Sequence, residues 1–182
     1  MTAGAYTVDD HNHRFAAWAA GRAASTSTQR FPVETGRKLL ESCGFTAGMG
    51  SLEALPDPAT IDHAHARWRV TMKAAATAAP GIVLTDGVAA KLINCYLKAR
   101  FVCGGFSHHP KVAALHPPID RLLLAEMARS NFAGRASEWR QAHNLGWSNF
   151  DSLQYQAVVD GIRDGLNGQP MWMIEQFWQG HQ

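Results

Sequence analysis

Apolar residues in this chain recur mostly at three- and four-residue intervals, the period of a helix with one buried face. The clearest case spans residues 57–78. Asp57 can cap a helix and Pro58 suits its first position. Ile61, Ala64, His65, Trp68 and Met72 then share one side, and Pro80-Gly81 ends the run. Before it, Asp9 or Asp10 caps a helix to about residue 24, with Phe15, Trp18, Ala19 and Ala23 as its apolar side. Residues 25–28, STST, break it. Pro32 opens a helix over 33–43 that Gly44 stops, and 44–58 is irregular with one short turn. After Gly81 the pattern predicts a helix over 87–102 with Val88, Leu92, Cys95, Ala99 and Val102 as its stripe, which sets Lys91 and Lys98 beside the core. Residues 104–110, GGFSHHP, read as a loop. Further helices are expected from Pro117-Pro118 to 129, over 136–142, from a Ser148 cap to 166, and from Pro170 to 179. The only strand-like run is 81–84. The expected class is all-α, a compact helical domain over residues 1–182, long enough to bury a real core.

The formal net charge is only +2, which does not by itself announce a nucleic-acid binder. Charge is unevenly placed, however. From Lys91 to Ile119 there is no Asp or Glu, against Lys91, Lys98, Arg100 and Lys111, a local basic stretch of the kind that meets phosphates. The three cysteines, Cys43, Cys95 and Cys103, form no CxxC pair, as expected of free thiols in a reducing cytoplasm. No run approaches the roughly 20 apolar residues of a membrane span, and residues 1–14 lack the form of a signal peptide. Nine histidines invite a metal reading. Yet His63 and His65 point roughly 200° apart on a helix, His11 and His13 share that fault, and no HExxH or cysteine pair supports His108, His109 or His116. No metal and no cofactor is expected.

The candidate chemistry lies in TDGVAAKLINCYLKARFVCGGFSHHPKVAALHPPID, residues 85–120. Lys91 follows a Gly-Val-x-x-Lys turn into a helix, and Asp120 ends a Pro-x-Asp segment that opens another. An amine and a carboxylate at two helix starts can converge on one sugar carbon. Cutting an N-glycosidic bond builds positive charge on the sugar, which a carboxylate stabilises and a neutral amine can attack. Desolvation against an apolar helix and the positive end of the helix dipole both favour a neutral lysine, and a dipole also favours an ionised aspartate.

This stretch resembles the helix-hairpin-helix DNA glycosylases, in which a hairpin grips the DNA backbone, a lysine begins its second helix and an aspartate follows in Pro-x-Asp. The Lys91-to-Asp120 spacing is similar to the archaeal 8-oxoguanine glycosylase-like branch. The motif match covers residues 79–124. Asp86 stands where the family's hairpin has proline, and Ala89 where it has a second glycine. The resemblance implies a DNA glycosylase acting on double-stranded DNA with no obligatory protein partner. Lys91 and Asp120 would be catalytic, and Gly81, Val83, Thr85, Gly87, Lys98, Arg100 and Lys111 would contact DNA. In that branch stacking aromatics come from the N-terminal helix and the C-terminal region, which points to Trp18 and Trp172, with His11, His13 and Arg14 placed to read the flipped base. The chain also looks similar to bacterial anti-phage glycosylases of this branch, which implies removal of α-glucosylated hydroxymethylcytosine. Two other readings are an 8-oxoguanine-type repair glycosylase and a non-catalytic DNA-binding module that uses the hairpin alone; a His-rich metal hydrolase is a further one.

Overall fold

The helix that carries Lys91 has almost no face left for solvent. In the computed structural model, which describes residues 5–26, 30, 32–78 and 81–180, every residue from Asp86 to Asn94 is buried. Eight α-helices occur among the described residues: α1 Val8–Ala24, α2 Val33–Ser42, α3 Ile61–Ala76, α4 Asp86–Leu97, α5 Pro110–Ala113, α6 Arg121–Arg129, α7 Ala136–Leu145 and α8 Ser152–Leu166. Short 3₁₀ turns link them, and no described residue lies in a strand, so 81–84 is an irregular connection instead, with Leu84 buried in it. The chain is all-α. Residues 1–4, Ser27, Thr28 and Pro80 lie outside the described residues.

Helix α4 is the partition between two cores. On one side, α1, α2 and α3 pack Leu39, Leu40, Phe45 and Met72 against Leu92, Ile93, Tyr96 and Leu97. On the other, α6, α7 and α8 gather Leu123, Met127, Trp139, Tyr155 and Ile162, which Ala90 of α4 joins. Trp147 packs on both. A helix buried on all sides needs no amphipathic stripe, so the expected division into an apolar stripe with Lys91 and Lys98 alongside does not describe α4. Lys91 is inside the protein.

Several boundaries differ for local reasons. Thr7, not Asp9 or Asp10, caps α1: its hydroxyl accepts from the Asp10 amide while Asp10 accepts from the Thr7 amide, a reciprocal capping box. The buried face of α1 is His13, Ala16, Ala17, Ala20, Gly21 and Ala24, whereas Phe15 and Trp18 are 58% and 46% exposed. Small residues let α1 lie close on its neighbours, and the large rings are left outside. Pro58 opens only a 3₁₀ turn before α3. Helix α4 runs on into a π-helical segment, Lys98–Phe106, with a kink inside it at Gly105 (φ 94°), so GGF belongs to that segment. Residues 117–120 lie outside any helix, and α6 starts after Asp120, whose backbone is extended. Asp151 rather than Ser148 caps α8, and the last element is a 3₁₀ helix, Met171–Phe177. Among the described residues no helix is long and apolar enough to cross a membrane.

Candidate functional site

Helix α4 brings three polar side chains into the interior, Asp86, Lys91 and Asn94, and a buried polar group needs a partner. Asp86 accepts from Arg69 Nε at 3.1 Å and from Lys73 Nζ at 2.5 Å. Lys91 Nζ donates to Asp120 Oδ2 at 3.0 Å, with Lys91 only 6% exposed. Asn94 donates to the Pro117 carbonyl at 2.9 Å and the Tyr155 hydroxyl at 3.0 Å, and its own oxygen lies 2.7 Å from His65 Nε2. The two residues singled out for catalysis, 29 positions apart, therefore meet as an ion pair.

Asp120 is held from several directions. Its Oδ1 caps α6 by accepting from the Leu123 amide at 2.9 Å, and its Oδ2 takes both Lys91 and the Trp178 indole N–H, the latter at 2.9 Å. Burial, the largest single influence, works against its charge. The Lys91 ammonium, the Leu123 amide and the Trp178 N–H together outweigh burial and hold the carboxyl below its usual value.

A cleft of about 320 Å³ opens beside this pair, at the lower end of the roughly 300–1,000 Å³ typical of ligand sites. It is lined by Lys91, Asp120, Pro118, Glu175 and Trp178 together with the short side chains of Ala19, Ala23, Cys95 and Ala99. A second ion pair, Lys98 with Glu175, lines the same cleft, and Lys98 also lies over the Trp178 ring at 5.6 Å. Burial raises the Glu175 carboxyl despite Lys98 beside it. A larger hollow of about 390 Å³ near Pro58, Ile61, Pro110 and Met171 is mostly apolar, with Arg163 its one charged group, and offers no comparable chemistry.

The other expected site residues scatter. Neither Trp18 nor Trp172 lines the cleft: Trp18 tilts on Phe15, and Trp172 donates to the Ser107 carbonyl at 3.2 Å. His13 is buried between Tyr96 Oη at 2.8 Å and Glu41 at 3.3 Å, a structural placement rather than a base pocket. His11 and Arg14 gather on Tyr6. Gly87 is not a phosphate grip either. Its amide donates to the Phe150 carbonyl at 3.1 Å, and a Cβ there would come within 1.8 Å of the Trp147 carbonyl oxygen. Thr85 caps α4 and donates to the Ser148 carbonyl at 2.7 Å. Gly81, at φ 76°, and Val83 are exposed on the connection before α4.

The expected basic groove is not assembled from its three members. Arg100 is buried, donating to the carbonyls of Asp9 and Ala47. Lys111 donates to the Leu55 carbonyl at 2.8 Å and lies 3.4 Å from Asp57. Lys98 belongs to the cleft. Conversely, Trp178, Glu175 and Asn94 were missed from sequence. Asn94 carried a signal, a polar residue one turn from Lys91 on a strongly apolar helix.

No protein-family model, no curated protein and no solved structure matches this chain. The chemistry of the site rests on its own residues.

Proposed function

We propose that this chain is a DNA glycosylase of helix-hairpin-helix type that flips a modified base out of double-stranded DNA and cuts its N-glycosidic bond, leaving an abasic site. The observation that carries the reading is the Lys91–Asp120 pair, 3.0 Å apart on the wall of a cleft of base-like size. An anionic carboxylate there stabilises the positive charge that grows on the sugar as the base departs. Lys91 is the amine within reach of the same carbon. Its resting hydrogen bond runs to Asp120 Oδ2, and that oxygen relays the Lys91 proton to the base, so Asp120 is a carboxylate again as charge grows on the sugar. The freed amine bonds to C1′ as the C1′–N bond breaks, and the base leaves with the electron pair and the relayed proton.

A cleft lined by small side chains and the Trp178 ring suits a stacked nucleobase. Lys98 and Glu175 set a donor beside an acceptor, the pattern of a base edge. The substrate we favour, on resemblance, is α-glucosylated hydroxymethylcytosine in phage DNA, which would place the protein in anti-phage defence in the cytoplasm. A purely DNA-binding module fits less well, because the Gly87 amide and the Thr85 side chain of the hairpin are already spent inside the protein.

The test is incubation with duplexes carrying glucosylated hydroxymethylcytosine, 8-oxoguanine or unmodified bases, followed by alkali to cut abasic sites. Cleavage at the glucosylated base is expected. Cleavage only at 8-oxoguanine would make this a repair enzyme, and no cleavage of any duplex would remove the glycosylase reading.

A further inference from the structure

The buried hydrogen bonds around Asn94 have a readable direction. Arginine has only donors, so His65 Nδ1, 2.7 Å from Arg69 Nη1, must accept. The proton of His65 then sits on Nε2 and is donated to Asn94 Oδ1. Asn94 Nδ2 donates to the Tyr155 oxygen, whose own proton is thereby free to go to His116 Nδ1 at 3.0 Å. His116 Nε2 carries its proton to Asp62 at 2.7 Å. One chain of donors runs from Arg69 to Asp62, and at Asn94 it branches: the second proton of the Asn94 amide goes to the Pro117 carbonyl.

That branch reaches the site. Pro117 lies three residues before Asp120 in a stretch that belongs to no helix. Pro117 and Pro118 have no N–H, so this dipeptide can be held through its backbone only by its carbonyls. Asn94 lies three residues after Lys91 on α4, on the same side of the helix. The same helix thus grips Asp120 twice, by Lys91 at the carboxylate and by Asn94 at the backbone just upstream. We propose that Asn94 is a positioning residue: through the Pro117 carbonyl it sets the Asp120 carboxylate against Lys91. The inference deepens the glycosylase reading and rests on it for its catalytic meaning.

Two substitutions separate positioning from mere stability. Asn94→Leu removes the Pro117 bond. Tyr155→Phe breaks the chain but leaves that bond in place. If Asn94→Leu does not fold, Asn94→Ser, too short to reach Pro117, is used instead. Thermal melting, single-turnover excision from the duplex that the wild type cuts, affinity for a duplex with a tetrahydrofuran abasic analogue, and the ¹³C titration of the Asp120 carboxyl are measured on each. Both kinds of variant should melt lower. Only the Asn94 variant should lose rate, on the order of 10–100-fold for a displacement near 1 Å, with unchanged affinity and with the Asp120 midpoint moved up. An Asn94 variant that keeps both rate and midpoint overturns the proposal, as does a Tyr155→Phe that shifts both equally. A wild type that excises nothing overturns the glycosylase reading, and the Asp120 midpoint alone then decides whether Asn94 positions that carboxylate.

Discussion

Asp120 divides its work between its two oxygens, one capping α6 and the other facing Lys91 and Trp178. Asparagine caps a helix as well as aspartate does, so Asp120→Asn keeps the α6 start while removing the charge. We expect excision to fall by about 10²–10³-fold, the cost of losing one electrostatic stabiliser of a transition state, with DNA binding retained. Some stability will go too, since a buried ammonium is left beside a neutral amide. Excision at the wild-type rate by the purified variant would take Asp120 out of the mechanism. Lys91 and Asp120 were legible in sequence because each stands near a helix start within a recognisable turn. Trp178 and Glu175 were not. Glu175 lies in the last 3₁₀ helix and Trp178 just after it, where no period of three or four separates a lining residue from a packing one. Trp18 stands outside the cleft: periodicity marks large apolar residues, whereas α1 buries alanine and glycine.

At the scale of elements, the helix pattern was legible except for the one-turn α5, where no helix was expected, and what the pattern cannot show is where two elements touch without side chains. Gly87 is the example. Its place in a hairpin signature suggests a backbone that approaches phosphate, but here the approaching group is the Trp147 carbonyl of a turn far along the chain. Gly87→Ala should therefore act on stability. Overpacking usually costs roughly 1–3 kcal/mol, and a clash with backbone rather than with a flexible side chain puts this substitution at or above the top of that range. Denaturant unfolding measures it. The folded fraction should bind an abasic-analogue duplex as the wild type does; a loss of affinity without a loss of stability would return Gly87 to the DNA interface. The π-helical segment was equally hidden, since Lys98 to Val102 reads as a continuation of the α4 pattern until the chain is seen to widen.

At the scale of the molecule, the two cores are tied through a polar seam, and that seam has a pH signature. Burial, the largest influence, lowers the pKa of both His65 and His116, which the chain of donors holds neutral. A group with a lowered folded pKa contributes stability that is present above its unfolded pKa, about 6.5 for histidine, and lost as pH falls. Below about pH 6.5 each such histidine adds a slope of at most about 1.4 kcal/mol per pH unit, so chemical denaturation should show stability dropping as pH falls, with a slope of up to two protons. A flat profile across that window would mean the seam is not neutral. The same burial sets the last question, which amine attacks. Lys91 donates to Asp120 at rest, so a covalent route needs that proton to pass to the carboxylate before the nitrogen meets C1′. If it does, the adduct becomes an imine, and borohydride present during turnover should fix protein to DNA as a band that Lys91→Gln abolishes. Excision without a trapped band would leave Asp120 to activate water and Lys91 to hold Asp120 in place. A band that survives Lys91→Gln would point two helical turns along the same cleft, to Lys98. Its pairing with Glu175, a carboxyl raised by burial, would then be the arrangement that frees an amine, and Lys98→Gln would be the variant that removes the band.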